Sequence, residues 1–315
     1  MTAARGAIGA VLLLAGLAAG PVLAAPPAGQ AAPAADPGDA RFAALFATAS
    51  LWRVGDNVDR VEAARRELAA AGEPAIRWLL DRRLGVETTL ERRALDAVLL
   101  ARKDLAGPLL LARFRAGPGP DPAVRQNLAR LARKLGLREA APALADWARD
   151  VPGLAPAAAR PLAREVLAAL AALAPARAVP AGRELLEAPD PWIRVAALRA
   201  LGRSGDPAVA GDLAAVAIGP STAIVRGAAA LALVDLGDPA VGPLEGVLEH
   251  CAREDADPAA CGFPVRAAAA LLGRLSGAPA ARLRSALDRV AALGPAPLAG
   301  LVVELAYGTE PAPGN

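Results

Sequence analysis

Between Asp190 and Pro239 the apolar residues recur with a helical period, and then the whole block recurs. Ile193, Ala196, Ala197, Ala200 and Leu201 take the i, i+3, i+4, i+7, i+8 spacing of one buried helix face. Asp190 offers a side-chain oxygen to the first turn, and Pro191 suits the first helical position, where no N–H is needed. Gly205 can take the left-handed conformation that closes this helix, and Asp206-Pro207 opens a second one. The spacing predicts a helical hairpin. At an offset of 32 residues the pattern returns: Arg226 matches Arg194, Ala228-Ala229 matches Ala196-Ala197, Leu233 matches Leu201, and Gly237-Asp238-Pro239 matches Gly205-Asp206-Pro207.

A hairpin of this size cannot bury its apolar face alone, so it must stack on neighbours of the same kind. Other copies are present with varying fidelity. Val61 to Leu80 carries Ala63-Ala64, Gly72-Glu73-Pro74 and Ile76 in register. Arg92 to Leu111 has Lys103-Asp104 where the glycine turn belongs; Asp121-Pro122, Arg125 and Gly136 restore it, and Arg164 to Leu186 has Pro175 at the glycine position. Arg266 to Pro279 supplies a copy after the two most regular ones. About seven hairpins are expected from residue 58 to 293, then a terminal helix from Leu298 to Tyr307. Phe42, Phe46 and Trp52 gather in one short helical segment and are expected to cap the N-terminal end of the stack.

These residues resemble the HEAT repeats, in particular the type first described in phycobilisome lyases: Asp190-Pro191, Arg194, Ala196-Ala197, Ala200-Leu201-Gly202 and Gly205-Asp206-Pro207, with a second set from Arg226 to Pro239. The resemblance implies an all-α fold, an α-solenoid in which the second helices line a concave surface. It does not imply a lyase, because the same repeat serves many binding proteins.

Domain organisation follows from composition. Residues 1–24 read as a signal peptide, with Arg5 as the positive region, an apolar run from Ala7 to Ala19 and small residues before a cut after Ala24. That run is shorter than the roughly 20 residues a spanning helix needs. Residues 25–40 are a Pro/Ala-rich linker, 41–308 the solenoid and 309–315 a flexible tail. The expected location is periplasmic or secreted, or tethered to the inner membrane if the signal stays uncleaved.

Charge and inventory narrow the function. The chain has 35 basic and 32 acidic residues, a net of +3. Residues 41–150 carry 20 Lys or Arg against 14 Asp or Glu, and residues 151–250 carry 8 against 10, so the solenoid is mildly polarised along its length. His250 is the only histidine. Its neighbour Cys251 does not share its helix face, so no nucleophile-base pair is in view. No Gly-rich phosphate loop is present, and export with a charge near zero argues against nucleic acid. No catalytic, cofactor-binding or metal residue is expected.

Four sets of residues stand out. The aligned arginines 125, 164, 194, 226 and 266 are expected to pair with capping carboxylates of the preceding turn, Asp206 with Arg226 and Asp238 with Arg266, as a ladder between repeats. On the second helices, Arg77, Trp78, Asp146, Trp147, Glu184, Glu187, Asp212, Glu245 and Glu249 are candidates for binding a partner, with the two tryptophans as its hot spots. Cys251 and Cys261, the only cysteines, flank an insertion of eight residues and are expected to form a disulfide. Glu254, Asp255 and Asp257 between them match no established Ca²⁺ loop and read as a solvated turn. The expected function is a non-enzymatic scaffold in the bacterial envelope that binds a protein along one face. The alternative is a lyase-like or cofactor-handling enzyme using carboxylates.

Overall fold

The computed structural model describes residues 37–86, 88–117, 119 and 121–307. The expected signal peptide, the linker up to residue 36 and the tail lie outside the described residues. Among the described residues there are sixteen α-helices and no strand. The first, α1 (Pro37–Ala49), begins inside the segment that reads as linker. Seven hairpins follow: α2 (Asn57–Ala70) with α3 (Glu73–Arg82), α4 (Thr89–Ala101) with α5 (Lys103–Ala116), α6 (Pro122–Leu135) with α7 (Ala141–Asp150), and α8 (Pro156–Leu173) with α9 (Pro175–Leu186). The last three are α10 (Pro191–Ser204) with α11 (Ala210–Ile218), α12 (Ala223–Leu236) with α13 (Val241–Cys251), and α14 (Pro258–Leu272) with α15 (Gly277–Leu293). The closing helix is α16 (Ala296–Tyr307). This is the α-solenoid the repeat pattern predicts. The first helices of the hairpins, with α16, pack side by side as one layer and the second helices form the other.

The joints use the expected chemistry. Gly205 takes φ +70°, and the Asp206 carboxylate accepts from the Ala208 N–H at 2.9 Å. A short 3-10 turn, Pro207–Val209, then leads into α11. Where Lys103-Asp104 replaces the glycine turn, Arg102 holds the joint by donating to the Ala69 carbonyl of the preceding repeat at 3.0 Å and pairing with Asp104.

Packing in the first-helix layer is tighter than a single apolar stripe provides. On α10, Ile193, Ala196, Ala197 and Ala200 belong to the core that runs back to α1, while Val195, Leu198 and Leu201 belong to the core that runs on to α16. An inner first helix has a first helix on either side and its own second helix behind it, so most of its circumference is buried. The closest approach is at Gly202, where a Cβ would lie 2.6 Å from the Ala232 carbonyl oxygen on α12.

The N-terminal end is capped by aromatics, though not the trio expected. Phe42 and Phe46 pack on Trp78 with ring centroids 6.1 and 6.2 Å apart, and the Arg83 guanidinium lies 5.3 Å from the Phe46 and Trp78 rings. Trp52 is 64% exposed and stands outside this cluster. Further along, Trp147 stacks on Phe114 at 5.0 Å.

The expected ladder does not form with its expected partners. No ion pair joins Asp206 to Arg226 or Asp238 to Arg266 among the described residues. The reason is geometric. Asp206 lies at the turn after α10, whereas Arg226 lies near the start of α12, and neighbouring first helices run parallel. The two are therefore separated by most of a 14-residue helix, about 20 Å at 1.5 Å per residue. Arg226 donates instead to the Ser221 carbonyl at 3.0 Å in the loop just before it, and Arg194 reaches the Ser221 hydroxyl at 2.8 Å.

Rungs between repeats exist elsewhere, each joining groups at the same height. Arg160 pairs with Asp190, Arg203 with Asp235, Arg183 with Asp212 and Arg113 with Asp81, whereas Arg125 pairs with Asp150 within its own hairpin. Past the insertion the interval lengthens to 40 residues, as in Arg289 with Glu249. Most of these pairs are exposed, where each contributes at most about 1 kcal/mol, so they set register more than stability. Across the insertion, Cys251 at the end of α13 and Cys261 on α14 are both buried and joined as a disulfide, with their Cα atoms 5.6 Å apart.

Two substitutions test this packing. Alanine in a helix interior normally gains about 1 kcal/mol over glycine, but Gly202→Ala is expected to lose about 1–3 kcal/mol through overpacking, seen as a lower urea midpoint; a raised midpoint contradicts the close approach. Trp147→Ala is expected to lose about 3–5 kcal/mol, and an unchanged midpoint would contradict its place in the core.

Candidate functional site

The second-helix residues picked out from sequence are largely committed to the fold. Trp78 and Trp147 are buried, 7% and 5% exposed, and cannot serve as surface anchors. Arg77 pairs with Glu73 one turn back, and Asp146 with Arg149. Asp212, Glu245 and Glu249 are held by Arg183, Arg282 and Arg289 of neighbouring repeats. Only Glu184 and Glu187 of that set are exposed without an ion pair among the described residues.

The open surface lies on the other layer. On α10 and α12 the outward positions are two helical turns apart: Trp192 with Arg199, and Ile224 with Leu231. The 32-residue repeat makes Ile224 the counterpart of Trp192, and Leu231 that of Arg199. Trp192 is 50%, Ile224 41% and Leu231 62% exposed. With Phe263 of α14 they surround an open depression of 720 Å³. Its floor is low because Gly227 has no side chain, and the Phe263 ring lies where a Cβ at Gly227 would come within 3.2 Å.

This depression is one part of a longer trough. A second, of 270 Å³, shares Trp192 and Arg199 with it and adds Arg160, Pro161 and Arg164. A third, of 540 Å³, shares Pro161 and Arg164 with the second and adds Arg92 and Gln126. The trough thus crosses the first-helix layer from α4 to α14. Six arginines line it, at 92, 160, 164, 199, 266 and 274, against one carboxylate, Asp121. Arg199 and Arg266 make no hydrogen bond or ion pair among the described residues, and Arg274 spends one nitrogen on the Val234 carbonyl at 3.4 Å. Arg266, expected as a ladder residue, faces this trough.

Trp192 is positioned rather than merely exposed. The Asp190 carboxylate accepts from the Trp192 N–H at 2.8 Å and from Arg160 Nε at 2.6 Å. Burial pushes the Asp190 carboxyl up, but the Arg160 guanidinium and the Trp192 N–H outweigh it and hold its pKa below the usual carboxylate range. The capping residue therefore stays charged at neutral pH and fixes the start of α10.

A buried polar cluster between α4 and α6 also escaped the sequence reading. Asn127 donates to the Leu84 and Val86 carbonyls at 2.7 and 2.9 Å, Arg130 donates to Asn127 Oδ1 at 3.0 Å, and Arg130 and Lys134 both pair with Asp96. Every one of these links closes on the chain itself, tying the segment before α4 to α6. In the insertion, Asp257 caps α14 through the Ala259 N–H at 2.9 Å. Among the described residues no three His, Cys, Asp or Glu side chains come together to hold a metal ion, and no helix is long and apolar enough to cross a membrane.

Comparison with known proteins bears on the fold. No curated protein matches the chain. Among solved structures, the complex of CpcE and CpcF of phycocyanin lyase from Nostoc sp. PCC7120 aligns at 21% identity over 86% of this chain and 100% of that chain, with a TM-score of 0.38. The family model described as HEAT repeats matches residues 151–234, which hold α8 to α11 and most of α12 and so the middle of the trough. Residues 151–234 are HEAT repeats, set within an α-solenoid that continues on both sides of them.

Proposed function

We propose that this chain is a non-enzymatic adaptor of the bacterial cell envelope, exported by residues 1–24, which holds a protein partner in the trough of its first-helix layer. A HEAT-repeat solenoid is a scaffold for protein interactions in general, and the observation that carries this reading is the exposed apolar set Trp192, Ile224 and Leu231, with the partly buried Phe263, beside arginines that have no carboxylate partner. Apolar anchors in a recess with charged groups around them are the anatomy of a protein interface, in which Trp and Arg supply much of the binding energy. A nucleic-acid surface would instead be led by phosphate contacts along a uniformly basic stripe. The disulfide between Cys251 and Cys261 supports export, since such bonds persist in oxidising compartments.

A photo-crosslinking amino acid placed at position 231 in intact cells is expected to give one reproducible protein adduct, and the same group at Glu184 on the second-helix layer none. In the chain carrying the crosslinker at Ile224, Leu231→Asp is expected to reduce that adduct at least tenfold while leaving the melting temperature within about 2 °C, because Leu231 is 62% exposed. An adduct at 184 alone, or one indifferent to Leu231→Asp, contradicts the assignment of the trough.

A further inference from the structure

The end of the trough between α4, α6 and α8 differs from the rest. Gln126 on α6 is only 5% exposed and lines the 540 Å³ depression, yet its side-chain amide makes no hydrogen bond among the described residues. The amide opens onto the depression, so its hydrogen-bonding capacity is not met within the described residues. The adjacent Asn127 shows what the fold does when an amide is structural: its donors and its acceptor are all engaged within the chain. Gln126 keeps two N–H donors and one carbonyl acceptor directed to a space that no residue fills.

The groups around that space define what fits it. Arg92 is anchored through Nε to the Val86 carbonyl at 3.4 Å, which leaves its terminal nitrogens uncommitted. Arg164 on the far wall is steadied by Glu165, which Arg133 also reaches. The first turn of α8, an 18-residue helix, contributes Ala157 and Ala158, and its dipole adds partial positive charge there. Asp121 is the one carboxylate on the wall, and it is engaged in capping the Ala123 N–H at 2.8 Å. With the Glu165 pair included, three guanidinium groups (Arg92, Arg164, Arg133) stand against two carboxylates (Asp121, Glu165), which leaves a single net positive charge. That balance suits a monoanion and disfavours a phosphate dianion, and planar guanidinium forks match a carboxylate's two oxygens. Pro161 and the two alanines supply an apolar wall for the carbon skeleton beside it.

We infer that Gln126, Arg92 and Arg164 form a carboxylate-binding subsite at one end of the trough, occupied by a carboxylate of the bound polypeptide. The inference rests on the reading of the trough as a polypeptide-binding surface. The carboxylate comes from a chain terminus or from an Asp or Glu side chain, and the two sources share the same recognition: guanidinium to the acid group and the Gln126 amide to the adjoining peptide group.

The test uses the exported full chain at low salt, following the side-chain amide signal of Gln126 and the backbone signals of Ala157 and Ala158 by ¹⁵N–¹H NMR. The probes are N-acetylalanine, which has only a terminal carboxylate, N-acetylglutamic acid α-amide, which has only a side-chain carboxylate, the neutral N-acetylalanine amide, and inorganic phosphate. Saturable shifts are expected with at least one carboxylate, and the stronger of the two identifies the source. The neutral amide is expected to give none, and phosphate to bind at least tenfold more weakly. Arg92→Gln and Gln126→Leu are each expected to weaken the response at Ala157 and Ala158 at least tenfold, with the thermal midpoint of Gln126→Leu unchanged or raised, because the amide it removes makes no hydrogen bond that the fold would lose. No saturable shift with either carboxylate, phosphate binding as tightly as they do, or binding indifferent to both substitutions overturns the inference. Failure here with the adduct at position 231 intact removes the subsite alone, whereas carboxylate binding without that adduct leaves a small-molecule site and removes the partner trough.

Discussion

Each inner first helix of this protein is pressed between two others, and the contact between α10 and α12 at Gly202 is close enough that no side chain fits there. That constraint follows from the repeat itself, since a lone hairpin has nowhere to bury its apolar face and stacking supplies the only cover. Parallel stacking of successive hairpins then fixes much else. It sets every first-helix start at one edge of the layer and every first-helix end at the other. Charged groups can pair between repeats only when they lie at the same height, which is why Arg160 meets Asp190 and Arg203 meets Asp235 while Arg226 never meets Asp206. It also brings the outward positions of successive first helices into line, so that a local replacement such as arginine by leucine between positions 199 and 231 shapes a continuous surface.

The fold was legible because it is written in local, repeated chemistry. Apolar spacing, the Asp-Pro openings and the glycine closures mark helix ends without reference to anything distant, and the hairpins from α2 to α15 and the final helix lie where those signals put them. Pairing was less legible. The arginines recur in register and a capping carboxylate precedes each in sequence, but Asp206 and Arg226 lie at opposite ends of parallel helices. The tryptophans show the same limit. Trp78 and Trp147 lie on short second helices whose inner faces meet Phe46 and Phe114, partners supplied by other repeats.

The trough did leave a trace in the sequence. Trp192, Ile224 and Leu231 are apolar residues off the buried stripe of the two most regular repeats, where a purely structural helix would carry charge. Regularity drew notice to the stripe and away from its exceptions. Gln126 and the cluster around Asn127 and Asp96 left none, because a polar residue on an amphipathic helix looks solvated until its neighbours are known. The two sets divide by how far their hydrogen bonds close. The Asn127 cluster is complete within the chain and serves the fold, whereas Gln126, Arg199 and Arg266 face outward with bonding capacity left over.

The four tryptophans offer the most direct measurement of that division. With 5-fluorotryptophan incorporated, the ¹⁹F spectrum carries one signal each for Trp52, Trp78, Trp147 and Trp192, and it can be recorded with and without the partner captured through position 231. If the trough is the binding surface, the Trp192 signal moves on complex formation while those of the buried Trp78 and Trp147 keep their positions. A Trp192 signal that stays fixed in the complex would contradict the account.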